Sequence, residues 1–209
     1  MIAQTERLEL AGPAGRIQLL RNAPEAGSRG VAVIAHPHPL FGGTMDNKVV
    51  QTLARAFVHC GWTALRFNFR GVGASQGSYD EGRGEAEDFL AVVHELAGDG
   101  PLALAGFSFG AFVAAQALQS LWGPRDVRAV VLVGTAASRF PVPPLPLEAH
   151  ERALVIHGEV DDTVPLPAVL DWARPQSLPV TVVPGVEHFF HGQLPLLKNL
   201  VARHLRALE

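Results

Sequence analysis

Hydrophobic and polar positions fall into two regimes along this chain. Near the start, residues 7–10 and 16–19 alternate apolar and polar side chains on either side of Gly12-Pro13-Ala14-Gly15, which predicts an antiparallel hairpin. Residues 21–30 form a polar connection. Beyond it, short unbroken apolar runs at 31–35, 63–69, 102–105, 129–133, 153–156 and 180–183 predict strands buried on both faces. Between these runs the spacing becomes helical. Val49, Val50, Leu53, Phe57 and Cys60 share one face, as do Ala86, Phe89, Leu90, Val93 and Leu96. Residues 111–118, 166–174 and the series Leu194, Leu197, Leu200, Val201, Leu205 and Leu208 complete the helices.

Strands alternating with helices in this way predict an α/β fold, a mostly parallel sheet with helices on both faces and the hairpin at one edge. No repeat, low-complexity tract or long linker divides the sequence, so residues 1–209 are expected to form one domain. In such sheets ligands bind beyond the carboxyl ends of the strands, and the residues that follow each apolar run are where chemistry is to be sought.

Composition narrows the partners. A net charge of -3 and the absence of Lys/Arg-rich runs leave no footprint for nucleic acid or an anionic membrane surface. No apolar run is long enough to cross a bilayer, and residues 1–7 lack the basic-then-apolar pattern of a signal peptide. The lone Cys60 excludes an internal disulfide and sits where a small core residue belongs. The expectation is a cytoplasmic protein acting on a small molecule. A dimer through a sheet edge or helix face is compatible with the pattern, though nothing in the sequence demonstrates one.

The stretch that carries the most chemistry is Gly106-Phe107-Ser108-Phe109-Gly110, set between an apolar run and a helical segment. A Gly-x-Ser-x-Gly there reads as a nucleophile elbow, a turn so tight that glycine is needed on both sides of the exposed serine. The Phe109 N–H, at a helix start, is placed to meet developing negative charge. After the 153–156 run comes His157-Gly158-Glu159-Val160-Asp161-Asp162, from which Asp161 is chosen as the acid that orients a histidine, with Asp162 and Glu159 as alternatives. After the last strand, His188 is chosen as general base, with His191 three residues on. A metal site at these two histidines is not expected, since no second cluster of ligand spacing joins them.

The loop 36–44 follows the first parallel strand and is the expected source of a second oxyanion N–H. Pro37 and Pro39 cannot donate, which leaves Leu40 as first choice and His38 as second. His36 and His38 are expected to serve loop structure. Arg70 is expected to tie neighbouring loops together. Gly71-x-Gly73 lacks the third glycine and the downstream acid of a dinucleotide fingerprint, so no nicotinamide cofactor is expected.

Together with His157-Gly158-x-x-Asp161-x-x-Val164-Pro165, Glu187-His188-Phe189, the 36–48 stretch and Arg66-Phe67-Asn68-Phe69-Arg70-Gly71-Val72-Gly73-x-Ser75, the elbow resembles the α/β-hydrolase superfamily, and within it small bacterial hydrolases related to dienelactone hydrolase. The resemblance implies an eight-stranded sheet, a Ser108–His188–Asp161 triad, oxyanion donors Phe109 and Leu40, and no cofactor. Many members insert a lid between the sixth and seventh strands. Here only residues 135–152 are available, with Pro141, Pro143, Pro144 and Pro146 keeping much of them extended, so no lid is expected. Phe41, Phe107 and Phe189 are the expected substrate walls. The reading is hydrolysis of small esters or thioesters through an acyl-enzyme, with amide hydrolysis or a non-catalytic binding module as alternatives.

Overall fold

The computed structural model describes residues 4–209; Met1–Ala3, at the head of the stretch read for a leader, lie outside it. The hairpin is β1 (Gln4–Gly12) and β2 (Gly15–Ala23), paired antiparallel along their length. Then follow β3 (Val31–Ala35), α1 (Lys48–His59), β4 (Thr63–Phe67), α2 (Arg83–Leu96), β5 (Leu102–Phe107) and α3 (Phe109–Leu121). The chain closes with β6 (Val127–Val133), β7 (Ala153–Gly158), α4 (Leu166–Ala173), β8 (Val180–Val183) and α5 (Leu194–Ala207). They form one eight-stranded sheet in the order β1-β2-β4-β3-β5-β6-β7-β8. β2 meets β4 antiparallel, and every pair from β4 to β8 is parallel.

Alternation along the central strands decides which helix covers which face. Ala32 and Ile34, Ala103 and Ala105, and Val131 and Val133 point into a layer shared with α1 and α5. Val33 and Ala35, Leu102 and Leu104, and Val130 and Leu132 point into the opposite layer, with α2, α3 and α4. Both faces are therefore dry, as the unbroken apolar runs require. Among the described residues no helix is long and apolar enough to cross a membrane.

One strand is shorter than its sequence pattern. Asn68 still donates to the Gln18 carbonyl of β2 at 2.9 Å, but the next N–H, that of Phe69, leaves the ladder for His36 Nε2 at 3.1 Å, and β4 goes no further. The segment between β6 and β7 carries no lid. Val142 and Leu145 are buried, and Gln119, Trp172 and Gln176 hydrogen-bond to the backbone of Pro144, Pro143 and Leu145.

Candidate active site

β5 delivers Ser108 at the sheet's carboxyl edge in a strained conformation, φ 58° and ψ −116°. The strain is enforced from both sides. A Cβ on Gly106 would come within 2.1 Å of the Gly110 carbonyl oxygen, and one on Gly110 within 2.4 Å of the Ala35 oxygen. Only glycine lets α3 start this close to β3.

Two further strand ends converge on the serine. His188, beyond β8, accepts from the Ser108 hydroxyl through Nε2 at 3.1 Å, and its Nδ1–H donates to Asp161 Oδ2 at 2.6 Å. The carboxylate partner fixes this tautomer. Asp161, in the loop after β7, is held in turn: its Oδ1 accepts the N–H groups of Thr163 at 3.0 Å and Val164 at 2.7 Å. All three side chains are buried, which shields their bonds from competing water. The alternatives stand apart. His191 is exposed and pairs with Glu187, Glu159 accepts from the Gly185 N–H, and Asp162 is exposed.

His157 lies behind Asp161, fully buried. Its Nε2–H donates to the Val164 carbonyl at 2.8 Å with Asp161 Oδ2 at 3.5 Å, while Nδ1 has no partner among the described residues. Burial lowers its basicity, against the upward pull of the Val164 bond and the Asp161 charge. The sequence offered His157 no role. Its distance from Asp161 by one turn of loop is what brings them together.

Leu40 does not serve as the second oxyanion donor. Its N–H donates to His38 Nδ1 at 3.2 Å, and its side chain is 67% exposed, away from the cleft. The Phe41 and Gly43 N–H groups both bond the His38 carbonyl. The His38 and Phe109 N–H groups have no partner among the described residues, and both residues flank Ser108 in the cleft. His36 stitches loops together, as its position foretold: Nδ1–H donates to the Pro37 carbonyl at 2.6 Å and Nε2 accepts from the Phe69 N–H.

The cleft has a volume of ≈ 420 Å³. Phe41, 80% exposed, and Phe189 stand at its wall. Phe107 does not. It is fully buried behind His188, the two rings 4.8 Å apart, because the odd register of β5 turns it into the α1/α5 layer. The remaining wall comes from Ala136, Arg139 and Phe140 after β6, from Asn47, and from Thr163 and Val164. The rule of searching behind each strand, applied to β6, would have found the first three. Arg70 ties β4's loop to α2, with Nε and Nη2 bidentate on Asp88 at 3.1 and 2.8 Å.

An eight-stranded sheet of this order with a strained serine at the β5–α3 turn defines an α/β hydrolase. The family model for the alpha/beta hydrolase fold matches residues 38–177, and the chain belongs to that family. Over 99% of its length it is 35% identical to a lidless α/β serine hydrolase from Xanthomonas campestris, with a TM-score of 0.86 and 96% of that chain covered. It is 37% identical to an α/β serine hydrolase homologue from Coxiella burnetii, covering 96% of this chain and 97% of that one at a TM-score of 0.81. An uncharacterized protein of Rickettsia prowazekii is 31% identical over 95% of this chain and 87% of its own. The protein is thus a lidless α/β hydrolase of the serine-hydrolase type.

Proposed function

We propose that this protein cleaves small carboxylic esters or thioesters by acyl transfer through Ser108, His188 and Asp161. The observation that carries the reading is the unbroken chain of contacts from Ser108 Oγ to His188 Nε2 and from His188 Nδ1 to Asp161. Ser108 Oγ attacks the carbonyl carbon as its proton passes to His188 Nε2, and Asp161 stabilises the imidazolium that forms. The N–H groups of Phe109 and His38 hold the oxyanion. On collapse, His188 returns the proton to the departing alcohol or thiol, leaving an acyl-serine. A water then gives its proton to His188 and attacks the acyl carbon, which releases the carboxylic acid and restores Ser108. Water is the sole co-reactant.

Ser108→Ala should lower ester turnover by roughly 10⁶-fold, to background, with unchanged circular dichroism. A fluorophosphonate should label the wild-type protein once, at Ser108, as mass spectrometry of the tryptic digest would read. Undiminished esterase activity in the alanine variant, or a folded wild-type protein that takes no label, would rule the mechanism out. A panel of matched ester, thioester and amide substrates then ranks the leaving groups by kcat/KM.

A further inference from the structure

We propose that the cleft accepts esters carrying a second, ionised carboxylate, and that Arg139 is the residue that recognises it. This deepens the reading of the cleft as an acyl-transfer site and rests on it.

The nitrogen-bearing side chains left free in the wall are donors. Among the described residues, no Asp or Glu lines the cleft. The Arg139 guanidinium makes no hydrogen bond or ion pair with any described residue, whereas Arg66, Arg70, Arg83, Arg128 and Arg174 each pair with a carboxylate. Asn47 spends its side-chain oxygen capping α1, accepting from Val49 and Val50, which leaves its NH₂ without a partner among the described residues. The field of the arginine reaches the cleft floor: burial lowers the basicity of His38, and the charge of Arg139 lowers it further.

Arg139 is also well mounted. Its N–H and that of Phe140 both bond the Ala136 carbonyl at 3.1 Å, closing a tight turn beyond β6. Phe140 stacks on Phe112 with centroids 4.9 Å apart and planes at 16°. A planar guanidinium on a fixed turn matches a carboxylate bidentately. Phe41, Phe140 and Phe189 offer apolar surface to the body of the substrate between that carboxylate and the scissile carbonyl. The substrate class is therefore an apolar spacer with an ester at one end and an anion at the other.

Two matched pairs of esters test this. One pair places the charge on the alcohol side, 4-carboxyphenyl butanoate against its methyl ester. The other places it on the acyl side, the 4-nitrophenyl monoester of adipic acid against its methyl ester. In at least one pair the wild-type kcat/KM should favour the anion by about tenfold, the low end for a charge-assisted contact because Arg139 is exposed. Arg139→Gln should erase the preference and Arg139→Glu should reverse it, read as the ratio of kcat/KM for anion over neutral ester within each pair. Calorimetric binding of the same compounds to the Ser108→Ala protein, with and without Arg139→Gln, reads the preference independently of catalysis. Equal binding and turnover of both members of each pair would overturn the inference, as would a preference that survives Arg139→Glu. Selective binding by the Ser108→Ala protein with no turnover by the wild type would instead overturn the acyl-transfer reading and leave the Arg139 inference standing.

Discussion

His36 is fully buried, and burial pushes its pKa from 6.5 down to about 4 despite the bond to the Pro37 carbonyl. It therefore stays neutral in the fold, and its Nε2 lone pair remains free to accept from Phe69. Unfolding returns it to an ordinary imidazole. Between about pH 6.5 and 4 the unfolded chain binds a proton that the folded chain does not, so the stability from this site is intact above 6.5 and lost as pH falls towards 4. The full loss is about 3 kcal/mol, of which about 2 falls between pH 6.5 and 5. Urea unfolding at pH 7 and pH 5 should show wild type losing about 2 kcal/mol more than His36→Gln over that interval; equal losses would refute the assignment. At this scale the sequence was most legible where chemistry is local. Ser108 is announced by its glycines, and His188 and Asp161 by their places after strands. Which N–H of the 36–44 loop stays free was not legible, because whether that of Leu40 or of His38 is occupied depends on which way the His38 ring folds back on its own loop. Phe107 misled for a similar reason: its neighbour Ser108 leaves the strand, and the side chain just before it still obeys the strand's alternation.

The elbow is a junction between elements, β5 with α3, and α3 with the end of β3. Gly110 is the point of closest approach, since a methyl there would meet the carbonyl oxygens of Ala35 at 2.4 Å and His36 at 2.5 Å. Gly110→Ala must push α3 away from β3, at a cost of about 1–3 kcal/mol. The same displacement moves Ser108 and the Phe109 N–H relative to His38, so kcat should fall along with the urea midpoint. A variant with wild-type stability and activity would show that the contact is slack. Element boundaries were less legible than element types. α2 begins at Arg83, earlier than its apolar face implies, because the Glu85 carboxylate turns back to accept the N–H groups of Asp80 and Gly82 at 2.9 and 2.8 Å. β4 ends before its apolar residues do because Phe69 is claimed by His36, a partner 33 residues away. Periodicity reports which face is buried. It carries no record of a hydrogen bond to a distant loop.

Across the whole molecule, five strand ends supply the cleft and the Ser108–His188–Asp161 contacts, and the absence of a lid decides how a small molecule reaches them. The segment after β6, where a lid was to be sought, was legible as short and proline-rich. What the prolines could not tell is that it is fastened at both ends. Phe140 is stacked on Phe112, while Gln119 and Trp172 donate to the Pro144 and Pro143 carbonyls at 3.0 and 3.3 Å and Gln176 accepts from the Leu145 N–H at 2.9 Å. Opening this segment would break those bonds and expose Val142 and Leu145, so it is held as part of the wall. Phe41 already stands 80% exposed at the mouth without an oil–water surface to draw it out. The turnover of a short-chain triglyceride such as tripropionin should therefore rise hyperbolically with concentration and pass its solubility limit without a break. An enzyme gated by a lid gains rate abruptly there, because the interface stabilises the open form by differential binding. A sharp increase at the solubility limit would mean that the 134–146 segment moves after all, against the packing that holds it.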